Sequence, residues 1–252
     1  MDVLTVFAQK ESIFNDHVIV PVYWRTGLHR IKVLQMRLAL TCQDRQSAAE
    51  AVAIRYLLGE ANIFNANRTG INLKIVVSKG AIKKMARQVS QKHDLYEFGY
   101  PILTRYAEAE LAVSKATDWF PGEDEILEAH LIEGEVYRGV EKMESDALGM
   151  VGITRHAMER YVQHCGTLDM NTSWKNISRR MKSRLDKIDL PPRVIMHKLR
   201  KYGEAPEVWK HPSNPLHYVF CQRHDCKLLV TVFNKDPDEQ LEVFRPQVAN
   251  RI

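Results

Sequence analysis

His156, Arg160 and His164 recur at intervals of four within GITRHAMERYVQHC, residues 152–165. Residues four apart lie on one face of a helix. A ridge of this kind puts two proton-transfer groups around a fixed cation. Histidine titrates near neutrality and can act as base or acid. Arginine keeps its charge and clamps a phosphate through two parallel hydrogen bonds. Metal-free cleavage of RNA needs those parts: a base for the 2′-OH, an acid for the leaving 5′-oxygen, and a cation on the charged phosphorane. His156 and Arg160 can face one phosphate, and His164, one turn on, is the second candidate proton handler. The alternative is a solvated polar face with no chemistry.

Other residues extend the candidate set. Thr231 in LLVTVF, with His217 or Asn234 beside it, could orient the scissile group from a strand; simple β-propensity also explains Thr231. The run KNISRRMKSRLDK carries Lys175, Arg179, Arg180, Lys182, Arg184 and Lys187, with Trp174 just before it. A basic helix next to an aromatic suits backbone contact and base stacking on RNA. Arg155 and His217 join these as RNA-binding candidates. CQRHDC offers one C-x₄-C pair, whereas structural zinc wants two close pairs, so no metal and no cofactor are expected. The SKG at 78–80 is not a phosphate loop, because the G-x-x-x-x-G-K-[ST] pattern is missing.

Bulk properties favour the C-terminal part as the site. Residues 1–150 hold 18 Lys/Arg against 20 Asp/Glu, and residues 151–252 hold 18 against 11. A basic half beside a near-neutral one points to a polyanion, most simply RNA or another nucleic acid. No run approaches the ~18 apolar residues of a membrane helix, and the N-terminus lacks the charge and apolar pattern of a secretory signal. Four scattered cysteines do not make a disulfide framework in 252 residues. The expectation is a reduced, cytoplasmic protein without a membrane partner.

The elements that must position these residues form two groups. Strand-like runs at 3–8, 17–24 and 29–42 precede a helix in QDRQSAAEAVAIRYLLGEA, capped by Asp44 or Ser47. A fourth strand at 71–78 runs into a helix from Lys79, a third helix is expected over 102–120, and 127–140 could hold a last strand. Three antiparallel strands, a helix and a parallel return describe an α/β or α+β layer. A polar stretch sets the boundary, giving a first domain over 1–147 and a second over 148–252. The second reads as helix 154–165, one or two helices within 171–188, a strand at RVIMHKL, a loop over 201–214, and a hairpin of LHYVFCQ and CKLLVTVFNK. That is a small helix-on-antiparallel-sheet domain, with a less regular tail from residue 236.

Two resemblances follow from these stretches. SAAEAVAIRYLL and INLKIVVSKGAIKKM resemble the first helix and the fourth strand of the ribonuclease H-like family, over roughly residues 1–135. The resemblance implies a carboxylate site in which Glu50 stands at the family's glutamate, while Ala8 and Val77–Ser78 occupy the places of its aspartates. Two-metal nucleases need several carboxylates around ions ~3.5–4 Å apart. The expectation is therefore a ribonuclease H-like mixed sheet that has lost its metal chemistry and serves binding or self-association. Glu108 and Glu110 do not replace both aspartates, and Glu50 itself reads equally well as a half-exposed helix residue. In the second half, His156-Ala157 with Arg160 and Tyr161, followed by the V-T-V strand with Thr231, resembles small RNase toxins of the barnase–EndoU–colicin–RelE-like group. This implies a metal-independent endoribonuclease of toxin or effector type, from a phage or other mobile element, with an antitoxin or host protein as partner. The rivals are a non-enzymatic scaffold or inhibitor built on two worn nuclease folds, and a metal-dependent ribonuclease H-like nuclease.

Overall fold

The computed structural model describes residues 1–234 apart from 15, 30, 66–68, 123–124, 126, 167–168 and 191. The chain divides into two units, Met1–Glu141 and Lys142–Ile252. Both mix helix and sheet, so the fold is α+β with two mixed sheets. The tail expected to be irregular lies outside the described residues.

The first unit runs β1 (Asp2–Ala8), β2 (Ser12–Phe14), β3 (His17–Thr26), β4 (Lys32–Ala39), α1 (Arg45–Arg55), β5 (Leu73–Val77), α2 (Gly80–Ala86), α3 (His93–Phe98), α4 (Tyr100–Leu103), β6 (Glu110–Val113) and β7 (Ala129–Glu133). Its strands order as β6-β5-β1-β3-β4-β7, with β2 paired to β3. β3 is antiparallel to β1 and β4, whereas β5, β6 and β7 join in parallel. Strand alternation turns Leu4, Val6 and Ala8, then Val18, Val20 and Val22, then Leu34, Met36 and Leu38 inward. α1 joins this core and is buried continuously from Ser47 to Ile54. Its Ala-rich sequence explains this, since small side chains let a helix lie close to its neighbours. Asp44 caps the helix by accepting from the Ser47 N–H at 3.3 Å. After Arg55 the helix widens into a π turn over Tyr56–Glu60.

The second unit runs β8 (Lys142–Ser145), β9 (Gly149–Ile153), α5 (Arg155–Cys165), α6 (Met170–Met181), β10 (Asp186–Ile188), α7 (Pro192–Tyr202), β11 (Glu207–Lys210), β12 (Leu216–Gln222) and β13 (Lys227–Asn234). The order is β10-β11-β12-β13-β9-β8. All pairs are antiparallel except β9 with β13. Ala157, Met158, Tyr161, Trp174, Ile177 and Met181 share one core with Tyr218, Phe220, Leu229 and Val232.

Five expectations are corrected. Residues 102–120 hold not a helix but the end of α4, turns and β6. Ala and Glu favour helix there, but the free edge of β5 offers backbone partners that outweigh propensity. The RVIMHKL stretch is helix α7; Pro192 opens its first turn, a position where the missing N–H costs nothing. The polar stretch read as a boundary forms the β8–β9 hairpin, turned by Gly149 at φ 72°. Finally, the 201–214 loop contains β11, and the parallel β9–β13 pairing makes the second sheet mixed.

Candidate nucleic-acid interface

α5 begins where its sequence requires. The Thr154 hydroxyl accepts from the Ala157 N–H at 3.1 Å and donates to the Leu229 carbonyl at 2.9 Å. One side chain thus caps the helix and ties it to β13. Gly166 ends it in the left-handed region, φ 74°, with its N–H on the Val162 carbonyl at 2.9 Å. Burial of Ala157, Met158 and Tyr161 leaves the next face outward. His156 is exposed, and Arg160 and His164 are half-buried. Arg160 Nη2 lies 3.3 Å from His164 Nε2, and Arg160 Nη1 donates to Gln163 Oε1 at 2.7 Å. Arg155 pairs with Glu159 at 2.8 Å. The ridge therefore holds a guanidinium against an imidazole, with a second imidazole one turn earlier.

α6 sorts the basic residues. Asp169 caps it, accepting from the Thr172 N–H at 2.6 Å. Trp174, Ile177 and Met181 then point into the core. Trp174 is 4% exposed, so it has no ring face for a base, and its reading as an RNA-stacking residue is corrected. An aromatic at helical spacing from Ile177 and Met181 belongs to the packing stripe. Arg180 is half-buried, and its charge acts on the Tyr161 and Tyr218 hydroxyls. Burial pushes both phenols up in pKa, and the guanidinium beside them partly offsets this. Lys175, Arg179, Lys182 and Arg184 are exposed. Arg179 donates to Asn176 at 2.8 Å, and Arg184 pairs with Asp186 at 3.2 Å.

The sheet separates Thr231 from this ridge. Val232 faces the core that α5 covers, and Thr231 pairs with Val219 on the opposite face. His217 is on that far face too, stacked on Phe233 at 5.0 Å. A bulge between Val219 and Phe220 shifts the register there. Period-two alternation, read off LLVTVF without that bulge, cannot tell which side Thr231 takes. Neither Thr231 nor His217 is brought to His156. Cys221 and Cys226 are buried and not joined in a disulfide.

The sequence did not single out a second cluster. Glu207 Oε1 pairs with Lys187 at 2.7 Å, and Oε2 with Lys227 at 2.6 Å and with the Trp209 ring N–H at 3.0 Å. Both ammonium groups lie over the Trp209 ring, at 6.0 and 5.5 Å from its centroid. Burial alone would raise the Glu207 carboxyl, but these three donors outweigh it and hold the pKa at about 2. A depressed folded value means the stabilisation is full above the ordinary carboxylate range and is lost as pH falls toward 2. Glu207→Gln should cost about 1 kcal/mol at pH 7 and flatten the acid limb of the unfolding curve between about pH 4.5 and 2. Urea melts of both proteins across that range check this; parallel curves would contradict it.

In the first unit, Ala8 at the end of β1, Glu50 in α1 and Ser78 after β5 meet. Glu50 is 0% exposed, not half-exposed. Its carboxylate accepts from Ala8 N at 2.9 Å, Ser78 N at 3.1 Å, Lys79 N at 3.3 Å and the Ser78 hydroxyl. Burial raises its pKa, and the hydrogen bonds from Ser78, Ala8 and Lys79 oppose that rise. Glu108 and Glu110 are exposed, and Glu110 pairs with Lys74 at 2.5 Å across β5–β6. No group of three His, Cys, Asp or Glu able to hold a metal occurs among the described residues.

No helix among the described residues is long and apolar enough to cross a membrane. No family model matches the chain, and neither does any curated protein or solved structure.

Proposed function

We propose that this is an RNA-binding protein whose second unit cleaves RNA without a metal at the α5 ridge. The observation that carries this reading is the Arg160–His164 contact at 3.3 Å with the exposed His156 one turn before it. His156 takes the 2′-OH proton, and Arg160 holds the phosphate. The 2′-oxygen attacks phosphorus, the bond to the 5′-oxygen breaks, and His164 protonates that oxygen. Lys175 and Arg179 on the exposed face of α6, with Lys182 at its C-terminal end, hold the flanking backbone.

The same reading gives the first unit a ribonuclease H-like ancestry. Its support is the three antiparallel strands, the following helix and the parallel return of β5, with Ala8, Glu50 and Ser78 converging where that family keeps carboxylates. On this reading the first unit is a platform, the protein works in the cytoplasm, and the basic second unit is the surface an acidic inhibitor protein would cover.

The test is cleavage of labelled single-stranded RNA in EDTA. Wild type should cut, and His156→Ala should not, with an unchanged melting temperature. A second reading, a scaffold that binds RNA without cutting it, draws on Thr231 and His217 lying on the far sheet face. Salt-sensitive binding by wild type with no cleavage would replace the first reading by the second.

A further inference from the structure

The first unit carries more Asp/Glu than Lys/Arg, yet residues 79–93 contain Lys79, Lys83, Lys84, Arg87 and Lys92 and not one Asp or Glu. Elsewhere in the unit cations are mostly engaged. Arg37 pairs with Glu133, Arg45 with Glu11, Lys74 with Glu110, Arg105 with Glu141 and Arg138 with Glu97. Arg55 is spent on the carbonyls of Tyr137 and Gly139, and Arg25 and Lys32 lie over Trp119 and Trp24. By contrast, Lys79, Lys83, Lys84 and Arg87 have no carboxylate partner among the described residues. Unpaired like charges on one short helix repel one another and destabilise it. Nothing in the packing of α2 requires them, since Ile82 and Met85 supply its buried side.

Of these cations, Lys84 lines a cleft of about 850 Å³ between α2 and α3, and the others lie along or at the ends of α2 beside it. Lys84 stands on one wall, and Lys92 and His93 on the other, with Ser90, Gln91 and Gln43 as neutral donors between them. One carboxylate, Asp94, lines the same space, and both it and the nearby Asp44 are already engaged. Asp94 accepts from the Gln43 N–H at 3.0 Å, and Asp44 caps α1 and pairs with Lys92. From Lys79 to Arg87 the cations cover about 12 Å at the helical rise. That is the reach of roughly three phosphates of a single strand.

We propose that the basic surface of α2, beside this cleft, is a second nucleic-acid site, which holds the phosphate backbone of a single strand through Lys83, Lys84 and Arg87. A run of cations without carboxylate partners among the described residues, beside polar donors, fits a repeating phosphate chain. The site rests on the reading of RNA as ligand and does not depend on cleavage.

The probe is a fluorescein-labelled 2′-O-methyl RNA, which lacks the attacking hydroxyl and so reports binding alone. Anisotropy titrations over a salt series would compare wild type with Lys83→Gln/Lys84→Gln/Arg87→Gln. The slope of log K against log salt should become shallower by about 2, at roughly 0.7 per lost phosphate contact. The double variant Lys84→Gln/Arg87→Gln, confined to exposed positions, should give about two-thirds of that change. Cleavage of a ribodinucleotide, whose single phosphate cannot occupy the cutting site and a second site at once, should not change. An unaltered slope with wild-type cleavage intact would overturn the second site and leave the proposed activity standing. A reduced slope in a protein that cuts nothing would do the reverse. If polyglutamate competes as well as RNA at equal charge, the cleft is a protein-docking surface and the proposal fails.

Discussion

Glu50→Ala should lower the stability of the first unit by about 3–4 kcal/mol, which for a unit of this size is roughly 10 °C in melting temperature. The substitution removes one carboxylate but strands four donors: the N–H groups of Ala8, Ser78 and Lys79, and the Ser78 hydroxyl. Each buried donor left without a partner costs about 1–3 kcal/mol, and water entering the space returns part of that. Glu50→Gln keeps one acceptor oxygen and should lose about half as much. The pH dependence carries its own sign. The folded carboxyl titrates above its ordinary value because burial penalises the charge. Folding therefore takes up a proton between the unfolded and folded values. The contribution of Glu50 is full below the ordinary carboxylate value and declines as pH rises through the raised one. Glu50→Gln should abolish that slope. Urea denaturation of the three proteins from about pH 4 to about pH 8 measures both effects. Equal midpoints throughout would mean that this carboxylate does not hold the three elements together.

Arg160→Ala should reduce RNA cleavage about 10²–10³-fold, the effect of removing one group that stabilises charge in the transition state. Arg160→Lys should recover only part of it. Lysine restores the charge but not the planar fork that binds two phosphate oxygens, nor the guanidinium edge now 3.3 Å from His164. The loss should fall on kcat, with RNA affinity changed about as much as for any one phosphate contact. Arg160 is half-buried, and its hydrogen bonds among the described residues run from its tip to Gln163 and His164, so the melting temperature should hold. Full activity in Arg160→Ala would remove the ridge from the chemistry. A large rise in KM alone would make Arg160 a binding residue and nothing more.

Parts of this arrangement were legible in the sequence for definite physical reasons. Alternating Val, Leu and Met in 17–39 marks strands with one buried face, and Asp44 and Thr154 mark helix starts. The four-residue spacing from His156 to His164 placed Arg160 and His164 in contact. The convergence of Ala8, Glu50 and Ser78 came only through a resemblance; no local pattern signals that three positions so far apart in the chain will meet. Other features escaped because tertiary context decided them. Trp174 looks like an RNA platform among lysines, but Ile177 and Met181 share its stripe and take it inward. Thr231 lands on the far side of the sheet through its register and a bulge at Val219/Phe220. Residues 110–113 became β6 because the edge of β5 was open. Cations with partners and cations without them look alike in a sequence, so the α2 cluster emerges only after ion pairing is known.

The proposed chemistry resides on α5 and needs no metal, while the carboxylate of the first unit is sealed by its own backbone. The most direct measurement is the end-group chemistry of single-stranded RNA incubated with wild type in EDTA. Attack by the 2′-oxygen predicts fragments ending in 2′,3′-cyclic phosphate and beginning with 5′-OH, and no cutting when the strand is DNA. Fragments bearing 5′-phosphate that form only after Mg²⁺ is added would contradict the account and return the reaction to a carboxylate–metal site.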